Sequence, residues 1–505
     1  MFGFTGNGQP LVLQKTLNLQ SSSTNEDVWI NSCTCNIRTL RRGDLFVALV
    51  SEHQDGQGCD DGHDHINEAQ RLGCKAILSE RPISGVNVPH FTVFNSREAY
   101  GVLCQKLYGN PAENLKITAV TGTHGKTGTA FLIAGILAEA GRPVGIISSV
   151  GIYDGEKMYP SIVTTPPANE LAYWFSRMTL NGCKHLVLEA SDYAIDQNYF
   201  SGIEFDAVCL TNISADHLDY HQTVERYRQT KLQILHYAKK DAVVICNADD
   251  PIVHETIPRI AQPVLTVGLQ RQNCGVGGIL LEKSRADQTF YITAGSETMP
   301  ICTRVIGESH IYNCLTAAAF GISQGIDLTQ TVRGIERVES IPGRMERVEC
   351  GQRFGVFIDS AQHPENLAAN LATLRDVTEG KLYCIFGASG QCATSAKRQK
   401  IGETLCRMAD DIVLTAESLT TERPNRSLCD MLQSVGGTNK VRIIRNRADA
   451  ISSILARMKD NDCVLIVGNG REPLPKQTEE SFPISERDYI KDWLYENQSA
   501  YQPLY

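Results

Sequence analysis

The sequence predicts an α/β protein of three domains built around parallel β-sheets. A β-branched apolar run at 117–121 meets a glycine-containing turn and then a helical pattern. Further short apolar runs end in polar residues and alternate with helical segments, which is typical of buried parallel strands. Breaks at Asn110-Pro111 and Ile341-Pro342-Gly343 predict three domains. Their boundaries are 1–112, 113–341 and 342–505.

Composition limits the class of protein. The 505 residues are 42% hydrophobic and 21% charged, which indicates ordinary globular cores. A net charge of −9 argues against a nucleic-acid-binding protein, which would normally present a basic face. The start, Met1-Phe2-Gly3-Phe4, lacks the pattern of a signal peptide, and no apolar run is long enough to span a membrane. The seventeen cysteines are scattered without zinc-ligand spacing, so we expect free thiols in a cytoplasmic protein.

The first domain shows two predicted strands, at 44–50 and 76–78, with a polar, glycine-rich loop at 54–62 between them. The third domain shows four short apolar runs that we interpret as parallel strands. They lie at 356–359, 383–387, 412–415 and 464–468.

The stretch at 117–127 predicts a phosphate-binding loop. The first amides of a helix have no intrahelical partner, so a glycine turn that leads into a helix favours an anion there. Lys126 would reach the outer phosphates, and the Thr127 hydroxyl would ligate Mg²⁺. The remaining loop residues would surround the phosphates: Gly122, Thr123, His124 and Gly125. The general spacing would put a glycine at Val120, so the loop is a variant; the alternative is a tight turn with an incidental lysine.

The helix after the loop is predicted from apolar residues between 130 and 137, with Gly141 as its stop. Three later strands, at 185–189, 207–212 and 242–247, each end in polar groups. Because the carboxyl ends of parallel strands share one edge of a sheet, these groups should lie near the loop, as Mg²⁺-ATP chemistry requires. They include Glu189, Ser191, Asp192, Thr211, Asn212, Asp216, His217, Asn247, Asp249 and Asp250. Taken singly, Glu189 could be a helix cap, His217 a surface imidazole and Asp249 a turn former.

Five motifs together resemble the Mur ligases, ATP-dependent amide-forming enzymes of peptidoglycan synthesis. They are Arg41–Leu49, Thr121–Thr127, Thr164-Thr165-Pro166, Thr211–His221 and Pro342–Glu346. The last two look most like the MurE type, which adds the third amino acid to a UDP-linked muropeptide. The resemblance implies a UDP-substrate-binding first domain, a central P-loop ATPase domain and a Rossmann-like third domain that binds the amino acid. It also implies ATP and Mg²⁺, and we expect a monomer.

The resemblance further implies that a substrate carboxylate attacks the γ-phosphate of ATP, and that an amine then displaces phosphate from the acyl phosphate. Lys126, His217 and Lys231 would be catalytic, with Lys231 carbamylated. The implied Mg²⁺ ligands are Thr127, Glu189, His217 and Lys231. ATP would also meet Asn313, Arg344 and Asp359, with domain closure over the nucleotide. The implied substrate-binding residues are Thr164, Thr165, Ser191, Gln197, Arg398, Gly468 and Glu472. Without the resemblance, Lys231 would be interpreted as a solvated helix lysine.

Departures from the family pattern concentrate in substrate recognition. His124 stands where the family has asparagine, and Asp192-Tyr193 stands where it has serine and histidine. Tyr199 replaces an arginine expected to meet the muropeptide, and 417–420 replaces the Asp-Asn-Pro-Arg of diaminopimelate enzymes. The amino acid that is added therefore does not follow from the resemblance. The alternatives are a Mur-like ligase for another carboxylate and amine, a degenerate homologue, and a plain P-loop ATPase or kinase.

Overall fold

The computed structural model describes residues 10–18, 27–51, 61–388, 395–416, 431, 439–468, 474 and 484–497. The chain divides into two compact units, Met1–Thr266 and Val267–Tyr505. The three-domain boundaries at 112 and 341 stay predictions. Within the described ranges, no helix combines the length and the apolarity needed to cross a membrane.

The first unit begins with a small parallel sheet. A short antiparallel pair, β1 (Leu11–Val12) and β2 (Trp29–Ile30), precedes it. The sheet has the order β3 (Cys33–Thr34), β4 (Leu45–Val47), β5 (Ala76–Ser79) and β6 (His90–Thr92). Its helices are α1 (Leu13–Leu17), α2 (Ile66–Arg71) and α3 (Ser96–Leu107).

Strand β4 is shorter than the predicted 44–50. Asp44 does not extend the strand, because its carboxylate accepts hydrogen bonds from the Ser32 hydroxyl and, at 2.7 Å, from the Arg41 amide. These bonds close the turn that leads into β4. Most of the predicted loop at 54–62 lies outside the described residues.

The larger sheet of the first unit confirms the predicted parallel strands. In chain order its strands are β7 (Lys116–Thr121), β8 (Val144–Ile147), β9 (Ile152–Tyr153), β10 (Met158–Tyr159), β11 (His185–Glu189), β12 (Phe205–Leu210) and β13 (Ala238–Asn247). Their spatial order is β10-β9-β8-β11-β7-β12-β13, and the five strands from β8 to β13 in that order are parallel. Strand β7 is central, so the turn after it opens at the middle of the sheet edge where ligands bind in such folds.

Helices cover this sheet and bury its apolar side chains. They are α4 (Lys126–Glu139), α5 (Ala168–Leu180), α6 (Asp192–Asp196), α7 (Leu218–His221), α8 (Val224–Leu232) and α9 (Pro251–Thr256). Helix α4 follows the glycine turn after β7 as predicted, and its buried side chains include Leu132, Ile133 and Ile136. It ends before Gly141, whose φ of +67° suits glycine and confirms the predicted stop.

Strand β14 (Val264–Gly268) leads the chain into the second unit. There it pairs in parallel with β15 (Val276–Lys283), which continues antiparallel into β16 (Gln288–Ala294) and β17 (Glu297–Thr303). Helices α10 (Glu308–Ser323) and α11 (Leu328–Glu336) follow. The sequence indicated only parallel strands, so these antiparallel strands are an addition to the predicted fold.

A six-stranded sheet completes the second unit. Its strands are β18 (Glu346–Arg347), β19 (Gly355–Asp359), β20 (Leu382–Ala388), β21 (Asp411–Ala416), β22 (Val441–Ile443) and β23 (Cys463–Val467), in the spatial order β18-β19-β23-β20-β21-β22. Only β18 is antiparallel, so the four predicted strands are confirmed as parallel. The helices are α12 (Pro364–Asp376), α13 (Ser395–Met408), α14 (Arg447–Leu455) and α15 (Glu486–Glu496).

His310 on α10 should make the second unit sensitive to acid. The imidazole is buried, and its Nε2 has no hydrogen-bond partner among the described residues. Burial lowers the pKa of His310 from 6.5 to about 4. Between these values the unfolded chain binds a proton that the folded chain does not, so stability falls as the pH falls.

When the pH falls from about 7 to about 5, we expect the free energy of unfolding of the wild type to decrease. In His310→Leu this decrease should be smaller by about 2 kcal/mol. Urea unfolding at the two pH values measures the difference. His254→Leu, at an exposed histidine, is the control and should keep the acid dependence of the wild type. An unchanged acid dependence in His310→Leu would contradict the pKa shift.

Candidate functional site

The loop after β7 adopts a backbone that requires glycine. Gly122 has a φ of +148° and Gly125 a φ of +84°. A Cβ atom on Gly122 would lie 2.0 Å from Thr211 Oγ1 and 2.9 Å from the carbonyl oxygen of Asn212. The turn can therefore pass this close to the end of β12 only because position 122 has no side chain.

Gly122→Ala should destabilise the fold by at least about 1–3 kcal/mol through its backbone conformation alone, and the contact with Thr211 adds to this loss. Thermal unfolding and ATP binding by calorimetry would measure both consequences. Gly277→Ala is a suitable control, because its Cβ would meet only the Gly268 carbonyl oxygen at 3.8 Å. Wild-type stability in Gly122→Ala would show that the loop can move away from β12.

Residues that follow β12 fix the loop from behind. The Thr123 amide donates to the Asn212 carbonyl oxygen at 2.8 Å, and the His124 amide donates to Asn212 Oδ1 at 2.8 Å. Asn212 Nδ2 donates in turn to the His124 carbonyl oxygen at 3.1 Å. Thr123 Oγ1 accepts from the Ser214 amide at 2.9 Å and lies 3.0 Å from the Tyr227 hydroxyl oxygen. The loop is thus rigidly positioned at the sheet edge.

Lys126 folds back over the loop as the first residue of α4. Its Nζ donates to the carbonyl oxygens of Gly122, at 2.8 Å, and Thr123, at 3.0 Å. This ammonium is held at the loop that leads into α4, and the amides of the first turn of a helix have no intrahelical partners. The arrangement combines a cation with a helix N-terminus and suits a phosphate group.

Thr127 and Glu189 meet at Ser149, just beyond the end of β8. Thr127 Oγ1 lies 3.2 Å from Ser149 Oγ, and Glu189 Oε1 accepts from the Ser149 amide at 3.1 Å. Glu189 is almost fully buried, and its Oε2 has no hydrogen-bond partner among the described residues. A buried carboxylate oxygen without a partner among the described residues, on a side chain that shares its neighbour Ser149 with a threonine hydroxyl, fits a hard cation such as Mg²⁺.

The other predicted metal ligands do not complete a cluster by themselves. In the described part of the chain, no three His, Cys, Asp or Glu side chains are arranged to hold a metal ion. His217 has a φ of +48° and a half-exposed side chain, with its Nε2 3.5 Å from Asp216 Oδ2. Its role as a metal ligand stays a prediction, and a metal at Glu189 would need further oxygen ligands from nucleotide or water.

Lys231 lies in a buried ion pair. The interpretation of Lys231 as a solvated helix lysine is therefore wrong. Its Nζ is 3.2 Å from Asp192 Oδ1 and donates to the Gly122 carbonyl oxygen at 3.0 Å. Asp192 Oδ2 is 2.8 Å from His221 Nε2. Burial raises the pKa of Asp192, but the charge of Lys231 and the hydrogen bond of His221 outweigh it and hold this pKa well below its usual range.

The predicted muropeptide residues of the first unit surround Glu189 and α6. Thr165 Oγ1 donates to the Glu189 carbonyl oxygen at 2.7 Å and accepts from the Ser191 amide at 3.0 Å. Ser191 caps α6 by accepting from the Ala194 amide. Gln197 Nε2 donates to the Tyr220 hydroxyl at 2.8 Å. Thr164, which precedes Thr165 in the sequence, is partly buried.

Two predicted nucleotide residues of the second unit come together. Asp359, at the end of β19, accepts from the amides of Met345 and Ala361, each at 2.7 Å. Burial raises the pKa of Asp359, while the neighbouring Arg344 guanidinium opposes the rise. The Pro342–Glu346 motif is therefore fastened to the end of β19.

The remaining predicted residues of the second unit are placed separately. Asn313 lies in the middle of α10, and Arg398 lies near the start of α13. Gly468 follows β23 with a φ of +123°, and its amide donates to the Asp359 carbonyl oxygen at 3.3 Å. Glu472 and the stretch at 417–420 lie outside the described residues.

A cavity of about 360 Å³ opens at the carboxyl edge of the small N-terminal sheet. Its lining includes Asn36, Arg38, His65 and Arg97. Arg97 Nη2 donates to the Val50 carbonyl oxygen at 2.8 Å, which fixes the guanidinium at the cavity wall. Two guanidinium groups at one cavity favour an anionic ligand.

Sequence reasoning missed three contributors to the site. Ser149 follows β8, so the strand-end rule could have found it once that strand was recognised. His221 closes the Thr211–His221 motif but has no role assigned from the sequence, and neither has Tyr227. Their contacts are with Asp192 and Thr123, which are distant in the sequence.

Comparison with known proteins gives matches over most of the chain. Residues 120–321 match the family model described as the Mur ligase middle domain, and residues 343–470 match the Mur ligase, glutamate ligase domain. A UDP-N-acetylmuramoyl-L-alanyl-D-glutamate--2,6-diaminopimelate ligase of Geobacillus thermodenitrificans is 33% identical over 82% of this chain and 85% of its own length. The Aquifex aeolicus protein of the same name is 32% identical over 92% of this chain and 94% of its own length.

Solved structures share the fold at lower identity. A UDP-N-acetylmuramoyl-L-alanyl-D-glutamate--2,6-diaminopimelate ligase structure aligns with a TM-score of 0.68 and 22% identity, covering 97% of this chain and 100% of that one. The MurF ligase of Thermotoga maritima in complex with ADP aligns with a TM-score of 0.61 and 20% identity, covering 93% and 98%.

Proposed function

This chain belongs to the Mur ligase family, and we propose that it is an ATP-dependent ligase that adds the third amino acid to UDP-N-acetylmuramoyl-L-alanyl-D-glutamate. The curated relatives carry the name of that reaction with 2,6-diaminopimelate as the amino acid. The loop, the buried carboxylate and the lysines described above support the same activity for this chain.

One observation carries the proposal. Thr127, in the first turn of α4, and Glu189, at the end of β11, both contact Ser149. Mg²⁺ bound there would neutralise phosphate charge and so favour transfer of the γ-phosphoryl group. The chain's own part is to hold the phosphates with Lys126 and the loop amides, and to orient Glu189 through its bonds to Ser149 and Thr165.

The reaction has two balanced steps. An oxygen of the substrate carboxylate bonds to the γ-phosphorus of ATP and ADP leaves, which gives an acyl phosphate. The amine nitrogen of the incoming amino acid then bonds to the carbonyl carbon, phosphate leaves, and the amine loses a proton. Both steps need water to be excluded from the site, because water would hydrolyse the acyl phosphate.

The remaining predicted ATP contacts belong to the same proposal. Arg344 would meet a phosphate, Asp359 the ribose and Asn313 the adenine, and the guanidinium and carboxylate suit these partners. His217 would serve a second Mg²⁺, and its half-exposed imidazole is accessible for that purpose.

The predicted domains complete the assignment. The cavity lined by Arg38 and Arg97 supports a UDP-substrate-binding role for residues 1–112. Residues 113–341 would bind ATP, and residues 342–505 would bind the amino acid with Arg398, Gly468 and Glu472. The described cysteines are free thiols, which suits a cytoplasmic enzyme. We expect it to act as a monomer.

The test combines the purified chain with ATP, Mg²⁺, UDP-N-acetylmuramoyl-L-alanyl-D-glutamate and a panel of amino acids that includes diaminopimelate. Phosphate release should require both the muropeptide and one of the amino acids. Glu189→Gln, which keeps the shape and loses the charge, is the control and should release little phosphate. Release that does not depend on the muropeptide would overturn the substrate assignment.

One observation favours a different carboxylate substrate within the same reaction class. Tyr199 stands in place of the family arginine, and its ring centroid lies 6.0 Å from that of Tyr193, which in turn lies 5.3 Å from Tyr220. A tyrosine at position 199, unlike an arginine, carries no charge of its own to pair with a carboxylate. The same assay with other UDP-linked peptides separates the two substrates, and inactivity with every acceptor would indicate a degenerate homologue.

A further inference from the structure

Helix α15 begins with two neighbouring residues of opposite charge, Glu486 and Arg487. Ser485 caps the helix by accepting from the Asp488 amide at 3.1 Å, which fixes the backbone of this first turn. The Glu486 side chain is 1% exposed, and that of Arg487 is 39% exposed. Each of the two charges pairs with a different part of the second unit.

Arg487 supports the turn that carries Arg344. Its Nη1 lies 2.8 Å from Glu346 Oε1, and the Glu346 side chain is only 4% exposed. The other oxygen of Glu346, Oε2, accepts from the Gly343 amide at 2.8 Å. Glu346 therefore closes the turn with one oxygen and meets the Arg487 guanidinium with the other. We call residues 343–346 the Arg344 turn.

The backbone of the Arg344 turn needs such support. Gly343 has a φ of +65° and Met345 a φ of +44°, so left-handed residues stand on both sides of Arg344. A residue other than glycine keeps this conformation only where its surroundings hold it there. The Met345 amide donates to Asp359 Oδ2 at 2.7 Å. Two carboxylates thus hold the backbone on either side of Arg344, and the ion pair with Arg487 orients the first of them.

Glu486 supports the end of β23 through Arg447. Arg447 Nε donates to Glu486 Oε1, and Arg447 Nη2 donates to Glu486 Oε2 at 3.2 Å. The same Nη2 donates to the carbonyl oxygen of Val467, the last residue of β23, at 3.1 Å. The Arg447 side chain is fully buried, and a buried guanidinium needs a counter-ion. Glu486 therefore fixes the point at which the chain leaves β23 for Gly468.

We propose that the first turn of α15 positions two substrate-binding segments of the second unit. Arg487 positions the Arg344 turn, and Glu486 positions the end of β23 at Gly468. The inference rests on the proposed function, in which Arg344 meets a phosphate of ATP and Gly468 meets the amino acid. Both residues act through other side chains, so they are positioning residues. Adjacent positions on one helix should then control the binding of two different substrates.

The first half of the test replaces Arg487 with glutamine in the full chain. The change removes the charge that orients Glu346, so the affinity for ATP with Mg²⁺ should fall on the order of tenfold in titration calorimetry. Arg487→Lys should restore the affinity, because a single contact with Glu346 needs one cationic donor and not a planar fork. Lys491→Gln removes a cation from the next turn of the same helix and is the matched control, with wild-type affinity expected.

The second half replaces Glu486 with aspartate, which keeps the counter-ion of Arg447 and withdraws the carboxylate by one methylene group. The KM for the amino acid that supports phosphate release should rise on the order of tenfold, while the affinity for ATP stays that of the wild type. Should Glu486→Asp fail to fold, Arg447→Lys takes its place, because it keeps the charge and loses one of the two hydrogen bonds to Glu486.

Hydrogen exchange of the full chain without substrates gives a readout that needs no turnover. Exchange should become faster in the Arg344 turn of Arg487→Gln and at Val467–Gly468 of Glu486→Asp, each without the other. Wild-type ATP affinity in Arg487→Gln would overturn the proposal, as would an affinity in Arg487→Lys as low as in Arg487→Gln. Equal effects of both variants on both segments would also overturn it, because they would indicate a general loss of stability.

The proposed function and this inference fail separately. An active wild type whose variants keep its ATP affinity and its hydrogen exchange overturns the inference alone. A chain that is inactive with every acceptor, and whose variants each loosen only their own segment, overturns the proposed function alone.

Discussion

Replacing Lys126 with methionine is expected to lower the turnover of ATP-dependent ligation by on the order of 10³-fold. Methionine keeps the length and the apolar body of the side chain, and it loses the charge that would stabilise the transferring phosphoryl group. The Lys126 Nζ now bonds to the carbonyl oxygens of Gly122 and Thr123, so it is already held over the loop. Steady-state phosphate release at saturating ATP would measure the loss.

The matched control is Lys116→Met, at the start of the strand that leads into the loop. Lys116 is exposed at the start of β7, whereas Lys126 follows the loop at its end. The control should turn over at the rate of the wild type. Equal rates in the two variants would contradict a phosphate role for Lys126, and thermal unfolding would show that both proteins are folded.

Replacing Lys231 with alanine is expected to lower the free energy of unfolding by about 3–5 kcal/mol. Among the residues that the structure describes, the change leaves the buried Asp192 carboxylate with His221 alone as an ion-pair partner. A buried charge without its counter-ion costs far more than the ion pair itself contributes. Urea unfolding near neutral pH would measure the difference.

The double variant Lys231→Ala with Asp192→Ala should recover part of this loss, because it removes the orphaned charge as well. The double-mutant cycle should then give a favourable interaction energy between Lys231 and Asp192. A lysine carbamate predicts the opposite sign, since it would repel Asp192. Lys15→Ala, which breaks the exposed pair with Asp27, is the control and should cost less than about 1 kcal/mol.

Local pattern was enough to identify the parts that lie next to each other in the sequence. The run at 117–121, the glycine turn and the apolar spacing of α4 follow from strand alternation, glycine geometry and helical periodicity, and the structure confirms them. The parallel strands β11, β12 and β13 were also predicted, because buried strands are continuous apolar runs. The resemblance to the Mur ligases came from the same short motifs.

The limits of the strands and the contacts between the site residues could be found only from the tertiary structure. The expected strand begins one residue late, at Leu45, because Asp44 belongs to the turn before it, where Ser32 and Arg41 donate to its carboxylate. Ser149 joins Thr127 to Glu189 only because β8 lies beside β11 in the sheet.

What the sequence alone determined is the fold class, the glycine turn before α4 and the family, since each depends on residues that are neighbours along the chain. What only the tertiary structure decided is which residues contact Lys231. Asp192 and Lys231 are 39 positions apart, and they meet because β11 and β12 flank β7. Whether a buried lysine meets a carboxylate depends on the order of strands in the sheet, and no local periodicity encodes that order.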